Sequence, residues 1–79
     1  MKKYQCMNIP QVVNKLKELG VAIHNKESKE RMKEFCKYVR NMKGSQNDSM
    51  DYTNNDDEDI SIYLEYDRFD RFFYVGIEK

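Results

Sequence analysis

The chain is poor in the residues on which much small-protein chemistry depends: one histidine, two cysteines and three glycines in 79 residues. One histidine and two cysteines fall short of the ligands a structural zinc site needs. Gly20, Gly44 and Gly76 form neither a G-x-x-x-x-G-K-[ST] nor a G-x-G-x-x-G loop, and no H-E-x-x-H pair occurs, so the familiar nucleotide and metalloprotease motifs are absent. Cys6 and Cys36 make no C-x-x-C pair and no disulfide framework, and two reduced, structural thiols are expected. Long apolar runs are also missing. The longest aromatic-aliphatic run, Phe72 to Val75, is far too short to span a bilayer, and no basic segment leads into an apolar one of secretory type. The expectation is a soluble, cytoplasmic protein.

Catalytic groups are equally scarce. His24 falls between two helical patterns, with no cysteine, serine or carboxylate set against it in a catalytic arrangement. Carboxylates are abundant, but they crowd a stretch that reads as solvated, whereas acid–base chemistry needs them held rigidly in a pocket. A noncatalytic protein without a cofactor or metal is the expectation.

What the chain does have is charge, unevenly placed. Residues 1–44 carry eleven Lys or Arg against four Glu, a net of +7, and residues 45–79 carry three against ten Asp or Glu, a net of −7. The formal total is zero. The folded molecule is then either a strong dipole or one whose halves neutralise each other, and the asymmetry favours a partner guided by charge. The length suits one domain with one small core, since a chain of this size hides only about 60–65% of the surface its unfolded form exposes.

The spacing predicts two helices. In "NIPQVVNKLKELG", Ile9, Val12, Val13, Leu16 and Leu19 form one apolar stripe, with Asn8 as N-cap, Pro10 in the first turn and Gly20 at the left-handed C′ position, giving a helix over about 9–19. Val21 is placed to fold back on its last turn. A second helix reads over about 26–43, capped by Asn25 or Ser28 and stopped by Gly44, with Met32, Phe35, Cys36, Val39 and Met42 facing the same core. Lys26, Lys29, Lys33, Lys37 and Arg40 share one narrow band of it, flanked by Glu27, Glu30 and Glu34. One reading of that band is a solvated face laced with weak pairs such as Glu27 with Arg31 and Glu30 with Lys33; the other is a cationic strip for phosphates or an acidic protein.

The segment "SQNDSMDYTNNDDED", residues 45–59, reads as a long acidic loop. It is no EF-hand, because counting from Asp51 the sixth position is Asp56 rather than Gly and the twelfth is Ile62 rather than Glu. Beyond it, Ile60, Ile62 and Leu64, then Phe73, Val75 and Ile77, alternate with polar and aromatic residues as two strands of a hairpin over about 60–78. A four-residue loop, Asp67 to Asp70, sets Leu64 opposite Phe73, Ile62 opposite Val75 and Ile60 opposite Ile77, with every aliphatic residue on one side. The other side then holds Tyr63, Phe72 and Tyr74 with Glu65, Asp67, Asp70 and Glu78 around them and Phe69 at the tip. Two ordinary explanations of that cluster stay open, an N-terminal strand from Lys2 to Met7 that covers it and tolerated exposure on a small sheet.

The expected architecture is α+β, two helices on one face of a small antiparallel sheet that contains the hairpin, with the N-terminal strand left open and either a monomer or a homodimer. The expected function is protein binding, with Asp56, Asp57, Glu58 and Asp59 joining the aromatic cluster to occupy a cationic groove of the kind built for nucleic acid. A small inhibitor or modulator of this composition resembles, as a class, accessory proteins of viruses and mobile elements that block host defence enzymes in the host cytoplasm. Direct nucleic-acid binding through the lysine band and a structural assembly subunit are the alternatives. A helix-turn-helix fits poorly, because the turn between the helices is too long and the second helix is long for a recognition helix.

Overall fold

The computed structural model describes residues 1–79, and its elements run β1 (Tyr4–Cys6), α1 (Ile9–Glu18), α2 (Lys26–Arg40), β2 (Asn47–Thr53), β3 (Asp59–Asp67) and β4 (Phe72–Glu78). Local chemistry sets the helix ends. The Asn8 side chain accepts the Gln11 N–H at 3.0 Å, while the Gln11 side chain takes the Met7 N–H at 2.7 Å. At the other end of α1, Gly20 has φ +92°; its N–H bonds to the Lys17 carbonyl and that of Val21 to the Leu16 carbonyl, both at 3.0 Å. That is a Schellman closure, and it turns Val21 back into the core as its position predicts. For α2 both candidate caps are used: Asn25 is the N-cap and accepts the Ser28 N–H, while Ser28 accepts the Asn25 N–H.

The helix expected to reach residue 43 ends at Arg40. Its closing turn bonds the Met42 N–H to the Val39 carbonyl, and the buried Gln46 side chain donates to the Arg40 carbonyl at 2.8 Å. A side chain thus caps the end four residues before Gly44 is reached.

The sheet order is β1-β4-β3-β2, antiparallel throughout. From β1 at one edge, the helices carry the chain to β2 at the other, and β3 and β4 meander back to meet β1. The N-terminal strand is therefore present, but beside β4 rather than over the aromatic cluster.

Two sequence expectations are corrected. Residues 45–59 are not one long loop: Asn47–Thr53 pairs with β3 along its whole length, leaving a short turn before Asp59. Met50 and Tyr52 turn toward the helix side, half-buried, and that pair of contacts outweighs the weak strand preference of Asn and Asp. The hairpin register is also displaced by two residues, with Leu64 opposite Val75, Ile62 opposite Ile77 and Tyr66 opposite Phe73. The loop is Arg68–Arg71 because Asp67 organises it: its carboxylate accepts the Phe69 and Asp70 N–H groups, and its carbonyl accepts that of Arg71. A shift of two keeps the aliphatic residues on the same side, so the faces stand as expected.

Fourteen buried apolar residues form one core between the sheet and the helices, among them Val12, Leu16, Met32, Val39, Ile62, Leu64 and Val75. In this layer α1 packs on β1 and β4, and α2 packs on α1 and β3. Phe35 and Met42 are only half-buried at its margin. Cys6 and Cys36 are free and buried in it; burial pushes the Cys36 thiol up to about 12, with the neighbouring Cys6 adding to the rise.

Candidate interaction face

Alternation along each strand sends every second side chain to the side of the sheet away from the helices. That open side carries Tyr63, Glu65 and Asp67 from β3 and Phe72 and Tyr74 from β4, with Glu65 opposite Tyr74 and Asp67 opposite Phe72. All five are half-buried, as neighbours in one surface should be. Ser49 lies opposite Tyr63 and Asp51 opposite Ser61, so β2 extends the face, and Gln5 of β1 lies opposite Tyr74 on the other flank.

The centre is held by a three-part contact. The Tyr63 hydroxyl donates to Glu65 Oε1 at 2.5 Å, the Lys3 ammonium lies 3.7 Å from the same oxygen, and that ammonium stands 4.6 Å from the Tyr63 ring centroid. Burial first, and the Glu65 carboxylate second, push the Tyr63 phenol up to about 12. The N-terminus reaches over the face at one further point. Gly76, opposite Tyr63, leaves room where a Cβ would stand 2.7 Å from the Lys2 carbonyl oxygen and 2.8 Å from the Met1 sulfur. Residues 1–3 thus lie over the Tyr63–Gly76 pair and cover part of the cluster.

The expected site residues fall into three places. Tyr63, Glu65, Asp67, Phe72 and Tyr74 are brought together on the open face. Asp56, Asp57, Glu58 and Asp59 stand at the turn between β2 and β3, exposed. Phe69 and Asp70 stand at the hairpin tip, Phe69 98% exposed. The turn and the tip lie at opposite ends of β3, roughly 25 Å apart at about 3.3 Å per strand residue, so one compact patch cannot contain both.

The turn is built on Asn54, which is buried. Its Oδ1 accepts the Asp56 and Glu58 N–H groups at 2.9 and 3.0 Å, and its Nδ2 donates to the Glu58 carboxylate at 3.0 Å. Asn55 N–H binds the Gly20 carbonyl at 2.8 Å, fastening the turn to the end of α1. The Asn54 amide first, and Lys79 at 3.3 Å second, hold the Glu58 carboxyl below the usual carboxylate range.

Reading residues 45–59 as loop hid one further member of the face, Asp51, whereas Glu78 stands there as the alternation of the hairpin predicts. Asp51 and Glu78 line, with Asp59, Ile60, Ser61 and Lys79, an open hollow of ≈ 640 Å³ at the turn end of the open side. The apolar alternation of Met50 and Tyr52 was the signal for Asp51, since it places the residue between them on the opposite side of a strand. No three His, Cys, Asp or Glu side chains form a group able to hold a metal ion.

The lysine band lies on the helical layer, across the sheet from this face. Lys26, Lys29, Lys37 and Arg40 are exposed and Lys33 half-buried. Lys33 pairs with Glu30 and Lys37 with Glu34, each at 3.5 Å, while Arg31 sits 5.6 Å from the Tyr52 ring rather than on Glu27. Between the basic and acidic halves of the chain the one ion pair is Lys3 with Glu65. The halves stay separate: a basic helical layer and an acidic open sheet face. No helix is long and apolar enough to cross a membrane. No known family model, characterised protein or solved structure matches the chain.

Proposed function

We propose that this protein is a noncatalytic inhibitor or modulator that docks its open sheet face on a cationic groove of another protein, of the kind that holds nucleic acid. One observation carries the reading: a sheet face turned away from the helices, with Tyr63, Tyr74 and Phe72 at its centre and Asp51, Asp59, Glu65, Asp67 and Glu78 around them. Aromatic side chains supply contact area at low entropic cost, and a groove evolved for phosphates and bases rewards negative charge and flat apolar rings together. The composition and small size fit the accessory proteins by which viruses and mobile elements disable host defence enzymes, and the host cytoplasm is the compartment this role implies.

The test is affinity capture from nuclease-treated cells of the source organism, with wild type and the Tyr63→Ala, Tyr74→Ala double variant compared. Wild type should retain a nucleic-acid-binding protein that the variant loses, retention should weaken with added salt, and the captured protein should release its nucleic acid as this chain is added. Direct retardation of DNA or RNA by this protein, abolished by Lys29→Glu, Lys33→Glu and Lys37→Glu together, would overturn the reading.

A further inference from the structure

The pairing of β2 leaves one row of its backbone groups facing away from the sheet. Even-numbered residues bond to β3 and the turn that follows, as the Gln46 carbonyl with the Tyr66 N–H at 2.8 Å and the Asn54 N–H with the Glu58 carbonyl at 3.0 Å show. Odd-numbered residues therefore point outward. The chain already uses the far end of that row. The Thr53 carbonyl accepts the Ala22 N–H at 3.0 Å, and Val21 forms an isolated antiparallel bridge with Asn54. Beyond that short covering segment, Asn47, Ser49 and Asp51 are exposed and the edge continues without a neighbour.

The charges at this edge select what joins it. Asp48 stands at the edge on the helix side and Asp51 on the open side, and β2 contains no Lys or Arg. Asp48 also holds the Ser49 N–H with its own carboxylate at 2.8 Å, which occupies one of the outward donors. Two copies meeting edge to edge would gather both pairs of Asp48 and Asp51 into one seam with no cation on either strand, a device that discourages self-pairing. A strand bearing lysine or arginine meets a carboxylate whichever way its side chains point.

We infer that the free edge of β2 accepts an extended, basic segment of a partner as an added strand, continuing the line begun by residues 20–22. The inference shares with the proposed function the reading that the partner is cationic, but it concerns the sheet edge rather than the aromatic face. Added in this way, the segment widens the open face beside Ser49 and Asp51 and gains backbone hydrogen bonds together with charge.

The probe is a short peptide of alternating lysine and threonine, blocked at both ends, with its glutamate-for-lysine counterpart as control. Amide hydrogen exchange of the whole protein, read residue by residue by NMR, should slow at Asn47 and Asp51 on adding the basic peptide and stay unchanged with the acidic one. Asp51→Pro removes an outward N–H that the native sheet does not use, and should weaken the basic peptide about fivefold to tenfold, as loss of one hydrogen bond does. Tyr63→Ala should leave this protection in place. If Asp51→Pro fails to fold, Asp48→Asn with Asp51→Asn takes its place, with loss of discrimination between the two peptides expected. Unchanged exchange at Asn47 and Asp51, or equal protection by both peptides, overturns the inference. Should Tyr63→Ala abolish the effect while Asp51→Pro does not, the peptide lies on the aromatic face; the edge inference then falls and the face reading stands.

Discussion

Tyr63 shows how one residue is tuned by neighbours from both ends of the chain. Its hydroxyl donates to Glu65, two residues on and therefore on the same side of the strand, and Lys3 arrives over its ring from beside β4. With the phenol raised from an ordinary 10.0 to about 12, the folded protein keeps a proton that the unfolded chain loses. The sign follows: this stabilisation is complete below about pH 10 and declines as the pH rises toward about 12. Phenolate absorbance should show one tyrosine titrating near that upper value in the folded state, and Glu65→Gln should lower it part of the way, because burial, the larger cause, remains. A wild-type titration in which all tyrosines ionise near pH 10 would show that Tyr63 is neither bonded nor shielded as described. The two cysteines are tuned in the same direction by burial alone in the main, which makes them poor nucleophiles while the core is closed.

Among the elements, the turn between β2 and β3 is the one most dependent on a single side chain. Asn54→Ala removes three hydrogen bonds at a buried position and should cost about 1–3 kcal/mol in urea denaturation. The same variant should speed amide exchange at Asp56 and Glu58 and raise the Glu58 titration toward the ordinary carboxylate range, since Asn54 is the first cause of its depression. Unchanged exchange at those two amides would assign the ordering of the turn to the Gly20 and Lys79 contacts instead. Nothing in "TNNDDED" distinguishes this Asn from Asn55 beside it; the difference comes from tertiary burial, which local sequence does not carry. The helices were legible because apolar spacing, Asn caps and Gly20 all act within a turn or two. The faces of the hairpin were legible for the same reason, since alternation is local. Its register was not, because Asp67 decides it by folding its carboxylate into the loop. β2 was hidden by composition: Asp48 and Asp51 at an edge serve against self-pairing, and that protective use reads as loop in the chain alone.

At the scale of the whole molecule, the proposed docking assigns the approach of a partner to the separation of the charges and the lifetime of the complex to the aromatic cluster. The acidic half meets the basic half in one ion pair, Lys3 with Glu65, and Lys79 offsets Glu58 at the turn, which leaves Asp51, Asp56, Asp57, Asp59, Asp67 and Glu78 outside any ion pair. Long-range charge acts before contact and is screened by salt, whereas ring contacts exist only in the complex. On a protein partner with a basic groove, Asp56→Asn with Asp57→Asn should slow association several-fold at low salt, flatten its salt dependence and leave dissociation nearly unchanged. Tyr63→Ala or Tyr74→Ala should instead speed dissociation about tenfold or more, with association close to wild type, as loss of a central anchor does. Phe69→Ala separates two sizes of interface. The tip stands roughly 25 Å of strand from the turn, so an effect of both Phe69 and the Asp56, Asp57 pair on dissociation would require a groove that runs the length of β3. An effect of Tyr63 and Tyr74 without Phe69 confines contact to the middle of the sheet. Each variant must first melt like wild type, which is expected because none of these side chains lies in the core. If all of them associate and dissociate at wild-type rates, the open face is not the docking surface, and the basic helical layer, with Lys26, Lys29 and Arg40 outside any ion pair, becomes the side that a partner must use.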